Sequence, residues 1–357
     1  MRALQVLAGP RALAHLRERG LAPADVRVIP AAAGGPKGLA LIPLDRYLFG
    51  QWLRDATHIL HLVGASIGAW RMACACLPEA DAALAELAED YVTQRYPHAP
   101  GRMPSPQAVS AAFGDKLQQR LAPRASEILA HPQRRLHIFT SRGRHLLHRP
   151  GRLRAVAGYL SAFAVNSASR RALGGWLERV VFSDPRDALP FPLHDYRSQG
   201  VTLTPHNLAR AVLASCSIPF ALEPVQDPPG APPGTYWDGG LTDYHLHLDY
   251  AALGDGLVLY PHFHSRAVPG WLDKPWQRRH RATARLDNVV VLAPHPAWLR
   301  TLPLGRLPDR SDFRHYGDDE ARRERDWRRV LAESQRLADE FADMVSASGS
   351  IAAEPLV

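Results

Sequence analysis

Cysteine is scarce in this chain. Cys74, Cys76 and Cys216 are the only three in 357 residues, and an odd count without a framework spacing excludes a disulfide-stapled scaffold. Cys74 and Cys76 lie two apart, which is neither the C-x-x-C of a redox pair nor a zinc-ligand spacing. All three read as small buried apolar side chains, and a reducing, cytoplasmic setting is expected. Also missing is any run of about 18 uncharged apolar residues, so no membrane-spanning helix is expected. The first twenty residues mix four arginines and a glutamate with short apolar runs. They hold no uninterrupted apolar stretch of the kind a secretory leader needs, and a helix over Arg11 to Arg19 is the simpler expectation. There is no internal repeat.

What is present is a globular balance: 46% hydrophobic and 22% charged residues, enough to bury a large core. The formal net charge is +8, which suits an anionic membrane, nucleic acid or an acidic substrate. The excess is spread along the chain and is densest at Arg278, Arg279, His280 and Arg281, with Arg285 close by. No aromatic residue interleaves there as in a base-stacking surface. The cluster reads as a solvated basic loop. Peripheral contact with anionic lipid headgroups is its next best use, and no nucleic-acid partner is expected.

Short apolar or β-branched runs alternate with helical patterns. Strands are predicted at Val26 to Ala33, Ile59 to Val63, Leu136 to Thr140, Gly256 to Tyr260 and Asn288 to Leu292. Helices are predicted at Lys37 to Phe49, Ile67 to Cys76, Ala80 to Gln94, Arg152 to Val180, Leu208 to Ser215 and Asp318 to Met344. Such alternation implies an α/β fold, a three-layer α/β/α arrangement with a mainly parallel central sheet. One such domain is expected over residues 1–310, with residues 311–357 as a helical extension packed on it. Proline-rich stretches at Tyr96 to Pro106 and Asp227 to Gly234 cannot be helix interior or central strand. Both read as surface loops, the second as part of the rim beside Asp238.

Three motifs carry chemistry. Gly64-Ala65-Ser66-Ile67-Gly68 is a G-x-S-x-G between a predicted strand and a predicted helix, the context of a nucleophile elbow. The serine then stands at a helix N-terminus, where free N–H groups favour developing negative charge. Upstream, Ala33-Gly34-Gly35-Pro36-Lys37-Gly38 also joins strand to helix, and consecutive glycines let backbone N–H groups approach a ligand oxygen. An oxyanion hole and a phosphate cradle are both open uses, though the P-loop spacing is absent because Lys37 is followed by Gly38. Downstream, Tyr236-Trp237-Asp238-Gly239-Gly240 places a carboxylate at a tight turn after a short strand. Sheet ends of this kind are where α/β proteins bind ligands.

In this order and spacing the three motifs resemble the patatin-like phospholipases. Those carry a glycine-rich loop with a basic residue, then G-x-S-x-G, then D-G-[GA]. Ala214-Ser215-Cys216-Ser217-Ile218-Pro219 is similar to the family's A-S-x-x-[IV]-P stretch. Ala33 stands where the family loop has its first glycine, and residues after about Leu248 match nothing familiar. The resemblance implies a Ser–Asp dyad without a triad histidine: Ser66 attacks an ester of a lipid or acyl substrate, and Asp238 is its base. It implies an oxyanion hole built from Gly34, Gly35, Lys37, Gly38 and Ile67, with no cofactor and no metal. An acyltransferase using the same acyl-enzyme and a catalytically silent lipid-binding module are the rival expectations.

The resemblance leaves the histidines unexplained. His245 and His247 follow Asp238 closely, and His262 and His264 end a predicted strand. In a strand, residues two apart share a face, so each pair could converge. The four are candidates to tune Asp238 or to contact an anionic substrate group when protonated. At least one of His245 and His247 is expected on the active-site side, and a metal is the less favoured reading.

Overall fold

The apolar runs assemble into one sheet of eleven strands in the computed structural model, which describes residues 1–99, 101–347 and 349–357. In chain order these are β1 (Leu4–Ala8), β2 (Val26–Ala31), β3 (Leu60–Ala65), β4 (Arg134–Gly143), β5 (Leu177–Ser183) and β6 (Ser198–Thr202), then β7 (Val225–Gln226), β8 (Thr235–Asp238), β9 (Leu257–Pro261), β10 (Val289–Pro294) and β11 (Glu354–Pro355). The order across the sheet is β11-β1-β10-β9-β2-β3-β4-β5-β6, with β7 and β8 branching from β4. The centre, from β10 to β4, is parallel throughout. Its strands are buried on both sides, as the continuous burial of β3 and β10 shows, because helices flank the sheet. The fold is three-layer α/β/α with a mainly parallel sheet. Among the described residues no helix is long and apolar enough to cross a membrane.

The helices are α1 (Pro10–Arg19), α2 (Ile42–Tyr47), α3 (Ile67–Ala75), α4 (Ala80–Val92), α5 (Pro106–Leu121), α6 (Ala125–Ala130) and α7 (Arg152–Ala168), then α8 (Leu208–Cys216), α9 (Gly240–Asp243), α10 (Pro296–Leu299), α11 (Ser311–Tyr316), α12 (Glu320–Glu333) and α13 (Gln335–Ser346). Three predicted helices are corrected. The one expected over Arg152 to Val180 ends at Ala168, and Gly174 and Gly175 separate it from β5, whose Val180-Val181-Phe182 prefers a strand. The one over Lys37 to Phe49 is a 3-10 turn, then α2, then a π-turn, since Pro43 has no N–H to continue a helix from the preceding turn. The one over Asp318 to Met344 breaks at Ser334, whose hydroxyl donates back to the Val330 carbonyl at 2.7 Å.

The end of the chain folds back on its beginning. The Glu340 carboxylate accepts from the Ala3 and Leu4 N–H groups at 2.8–2.9 Å, and α13 packs on α2. The expected helical extension also carries β11, which pairs with β1 and extends the sheet. Of the two proline-rich stretches, residues 96–105 form an exposed connection in which Pro100 lies outside the described residues.

Candidate active site

Strand register explains how residues 172 positions apart meet. β4 pairs with β3 only as far as Phe139 opposite Ala65. From Thr140 onward β8 occupies the slot that β3 has vacated, running the other way, with Asp238 opposite Thr140. The ends of β3 and β8 therefore point at one another along β4. Ser66 follows the first and Asp238 ends the second. Ser66 Oγ donates to Asp238 Oδ2 at 2.6 Å.

Ser66 has φ 55° and ψ −129°, a left-handed turn that costs a side chain of order 1–3 kcal/mol. Its N–H donates to Ser215 Oγ at 2.8 Å, and that hydroxyl donates to the Phe139 carbonyl at 2.7 Å. The motif glycines are set by close approach. A Cβ on Gly68 would lie 1.9 Å from the Ala31 carbonyl oxygen, and one on Gly64 would lie 2.5 Å from the Ala69 Cα. Ser66 is 3% exposed and Asp238 6%, because residues far downstream build a cleft over them.

Asp238 is fixed on every side. Its Oδ1 accepts from the Gly240 N–H at 2.7 Å, its N–H donates to the Ser217 carbonyl, and its carbonyl accepts from Ser141 Oγ. Burial pushes its carboxyl up to about 6, against the pull of the Ser66 and Gly240 hydrogen bonds and the charges of Arg310 and Lys274. Cys216 lies against the Ser66 hydroxyl, and burial, helped by the Asp238 charge, holds its thiol in the neutral form. All three cysteines are buried and unbonded.

Gly34 and Gly35 line the same cleft. A Cβ on Gly34 would run into the Phe263 ring at 2.4 Å, and Gly35 has φ 55°. Ala33, in place of the family's glycine, fits because Gly240 has no side chain where the Ala33 methyl lies. Lys37 also lines the cleft, but its ammonium is taken by Asp309 at 2.5 Å. Gly38 does not line the cleft; a Cβ on it would meet Ile67 at 3.1 Å, so the glycine lets the loop come close to α3. Behind it, Arg71 makes two hydrogen bonds, 2.6 and 2.9 Å, to Asp45, both residues fully buried. This pair ties α3 to α2, which follows the glycine loop. Asp45→Ala strands a buried guanidinium, and a loss of about 3 kcal/mol or more is expected in urea unfolding; a loss below about 1 kcal/mol would mean water reaches Arg71.

Ser66 sits between two unlike cavities. One, of about 110 Å³, is polar and lined by Gly34, Lys37, Asp238, Lys274, Asp309 and Arg310. The other, of about 50 Å³, is lined by Ile67, Tyr91, Val109, Phe113, Cys216 and Leu222. Lys274, Asp309 and Arg310 were not found from sequence, where no local pattern marks them. Lys274 holds its ammonium 4.2 Å from the centroid of the Tyr244 ring. Partial burial, with Lys37 and Arg310 beside it, brings Lys274 down to about 8. Among the described residues neither Lys274 nor Arg310 makes an ion pair. The 227–234 turn is not part of the rim as expected. It closes the β7–β8 hairpin, with the Pro233 carbonyl taken by Arg142.

None of His245, His247, His262 and His264 lines the Ser66 cleft. Tyr244 turns into it, and the next side chain, His245, points away. His245 and His262 meet edge-on at 4.3 Å, with His264 6.3 Å from His245, around a small cavity against Leu286, Val289 and Leu356. His247 stands apart, its Nε2 3.4 Å from the Thr283 hydroxyl, because Leu246 at φ 43° breaks the expected strand geometry. Burial lowers all four imidazoles, His247 to about 4 and His262 to about 3. They are neutral near pH 7, which removes their use as cationic anchors. Among the described residues no three His, Cys, Asp or Glu side chains are placed to share a metal ion.

The patatin-like phospholipase family model matches residues 32–246, and the chain belongs to that family. Membership places it broadly among lipid acyl hydrolases. The matched segment contains Ser66 and Asp238 and stops before Lys274, Asp309 and Arg310. Among solved structures, the crystal structure of VipD from Legionella pneumophila is similar over 97% of this chain and 70% of that one, at 11% identity and a TM-score of 0.41. No curated protein matches.

Proposed function

We propose that this protein cleaves carboxylic esters of lipids through a Ser66 acyl-enzyme, with Asp238 as general base. The observation that carries the reading is the 2.6 Å hydrogen bond from Ser66 Oγ to a buried carboxylate whose pKa is raised to about 6. A carboxylate so raised is a better proton acceptor than an exposed one and is still ionised at neutral pH. Asp238 takes the hydroxyl proton as Ser66 Oγ bonds to the ester carbon. The oxyanion faces the N–H groups of Gly34, Gly35 and Ile67. Collapse breaks the ester bond, and the leaving alkoxide receives the proton from Asp238. Asp238 then deprotonates water, which attacks the acyl carbon; the carboxylic acid leaves and Ser66 is restored.

The two cavities suggest how a substrate lies. The apolar one suits the acyl chain. The polar one, with unpaired Lys274 and Arg310, suits an alcohol portion bearing an anionic group such as a phosphodiester. The basic cluster near Arg279 is less available to a duplex, since Arg279 pairs with Asp273 at 2.7 Å and Arg285 lies 3.5 Å from Asp195.

The test is a panel of p-nitrophenyl esters of rising acyl length beside phospholipid vesicles, with fluorophosphonate labelling. Labelling that persists in Ser66→Ala would falsify the nucleophile. A second test addresses the cations. In Lys274→Gln/Arg310→Gln, KM for phosphatidylglycerol in detergent micelles is expected to rise by about tenfold or more, since each charge-assisted contact is worth over 1 kcal/mol. For a neutral ester KM should move far less. Because both cations hold the Asp238 carboxyl down, the acid limb of the rate profile should also move to higher pH. Equal KM changes on both substrates would remove the anionic group from the reading.

A further inference from the structure

We propose that the outer face of α7 docks the protein on an anionic lipid bilayer, beside the mouth of the Ser66 cleft. The inference deepens the reading of the protein as a lipid ester hydrolase and rests on it for its purpose, though not for its geometry. α7 is apolar on both faces. Its inner face packs through Ala155, Gly158, Tyr159 and Ala162. Tyr159 meets Trp237, the neighbour of Asp238, edge-on at 5.6 Å, and Phe220 at 5.8 Å. Asn166 Nδ2 donates at 2.9 Å to Asp273, next to Lys274. The helix is thereby fastened to both walls of the cleft, since Ile218, Pro219, Trp271 and Lys274 line it.

The outer face is the unusual one. Leu153, Val156, Leu160 and Phe163 follow one another at helical spacing and form one stripe. They are 85%, 41%, 66% and 37% exposed. Phe220 and Leu146, also exposed, lie against Tyr159 and Gly158 of the same helix. Ten large apolar side chains are exposed among the described residues; four form this stripe, and Phe220 and Leu146 lie beside the same helix. Single exposed leucines are ordinary, but a concentration of this kind marks an interaction surface.

Charge decides among the occupants. Arg149, Arg152 and Arg154 are exposed at the start of α7 and make no ion pair among the described residues. No Asp or Glu occurs between residues 145 and 177. An apolar stripe flanked by unpaired arginines suits an anionic headgroup layer, with the leucines in the acyl boundary. Against a second copy of the same face, those arginines would meet like charge with no carboxylate to offset it.

The experiment is co-sedimentation with vesicles of ether-linked phosphatidylcholine and phosphatidylglycerol in equal parts, which cannot be hydrolysed. Wild type is expected to sediment with these and weakly with phosphatidylcholine alone. Leu153→Glu/Leu160→Glu should weaken partitioning by about tenfold or more, since each leucine contributes several buried CH₂ groups at about 0.8 kcal/mol each. Arg152→Gln/Arg154→Gln should lose mainly the part of binding that salt screens. Turnover of soluble p-nitrophenyl butyrate should be unchanged in both variants. Wild-type sedimentation of the leucine variant overturns the proposal. So does a wild type that ignores vesicles and forms a dimer which the leucine variant dissociates. If wild type hydrolyses no ester yet its vesicle binding depends on these leucines, the enzymatic reading fails and the docking face stands.

Discussion

Ser66→Ala is expected to lower ester turnover by about three orders of magnitude or more, leaving the residual rate that transition-state binding alone supports. The fold should persist. Alanine bears the same backbone strain at φ 55° as serine does, and the N–H that holds the turn to Ser215 is untouched. The lost hydroxyl is one of the donors that lower the Asp238 pKa, so that carboxyl should rise further in the variant. Circular dichroism and urea unfolding should change little while both turnover and fluorophosphonate labelling disappear. Wild-type turnover in a folded variant would remove Ser66 from the mechanism.

The elbow was legible in the sequence because its demands are local. Gly64 and Gly68 are needed by atoms within a few residues or on the adjacent strand, so spacing between a predicted strand and helix was enough to find them. Asp238 was legible through its glycine turn and the family resemblance, but the reason it reaches Ser66 was not. That reason is the shift of neighbour along β4 at Thr140, a long-range pairing with no local signature. The cations over the site were illegible for the same reason. Asp309 comes to Lys37 across 272 residues, and Lys274 arrives on a 3-10 turn of no recognisable pattern.

The histidines show the opposite error, a correct rule applied where its premise fails. Residues two apart share a face only in a strand. β9 ends at Pro261, so His262 and His264 lie beyond it, and Leu246 turns the chain between His245 and His247. The overlong helix predicted up to Val180 has a similar origin. α7 is apolar on both sides, so its pattern ran on without a polar face to mark an end, and the same property now singles out its exposed stripe.

Asp238→Asn is expected to cost activity nearly as much as loss of the nucleophile, on the order of 10³-fold, because the amide keeps the shape but accepts no proton. In wild type the rate should rise with pH through about 6, where the buried carboxyl ionises, and level off above it. The same shift makes a prediction about stability of opposite sense. Folding raises this carboxyl from its ordinary value of 3.8 to about 6, so within that window the folded state binds more protons than the unfolded one. Stability from this group therefore falls as pH rises through the window and stays level above it. Asparagine carries no charge to desolvate. Near pH 4 the variant and wild type should differ least. At pH 7.5 the variant should be the more stable, by on the order of 2 kcal/mol. Thermal unfolding of both proteins at the two pH values measures this directly. An inactive variant whose stability advantage grows with pH is the expected result, since the charge that burial penalises is the one the reaction needs. A gap that is independent of pH, or reversed, would mean that Asp238 is not held as a strained carboxylate, and the case for it as the base would fall with that.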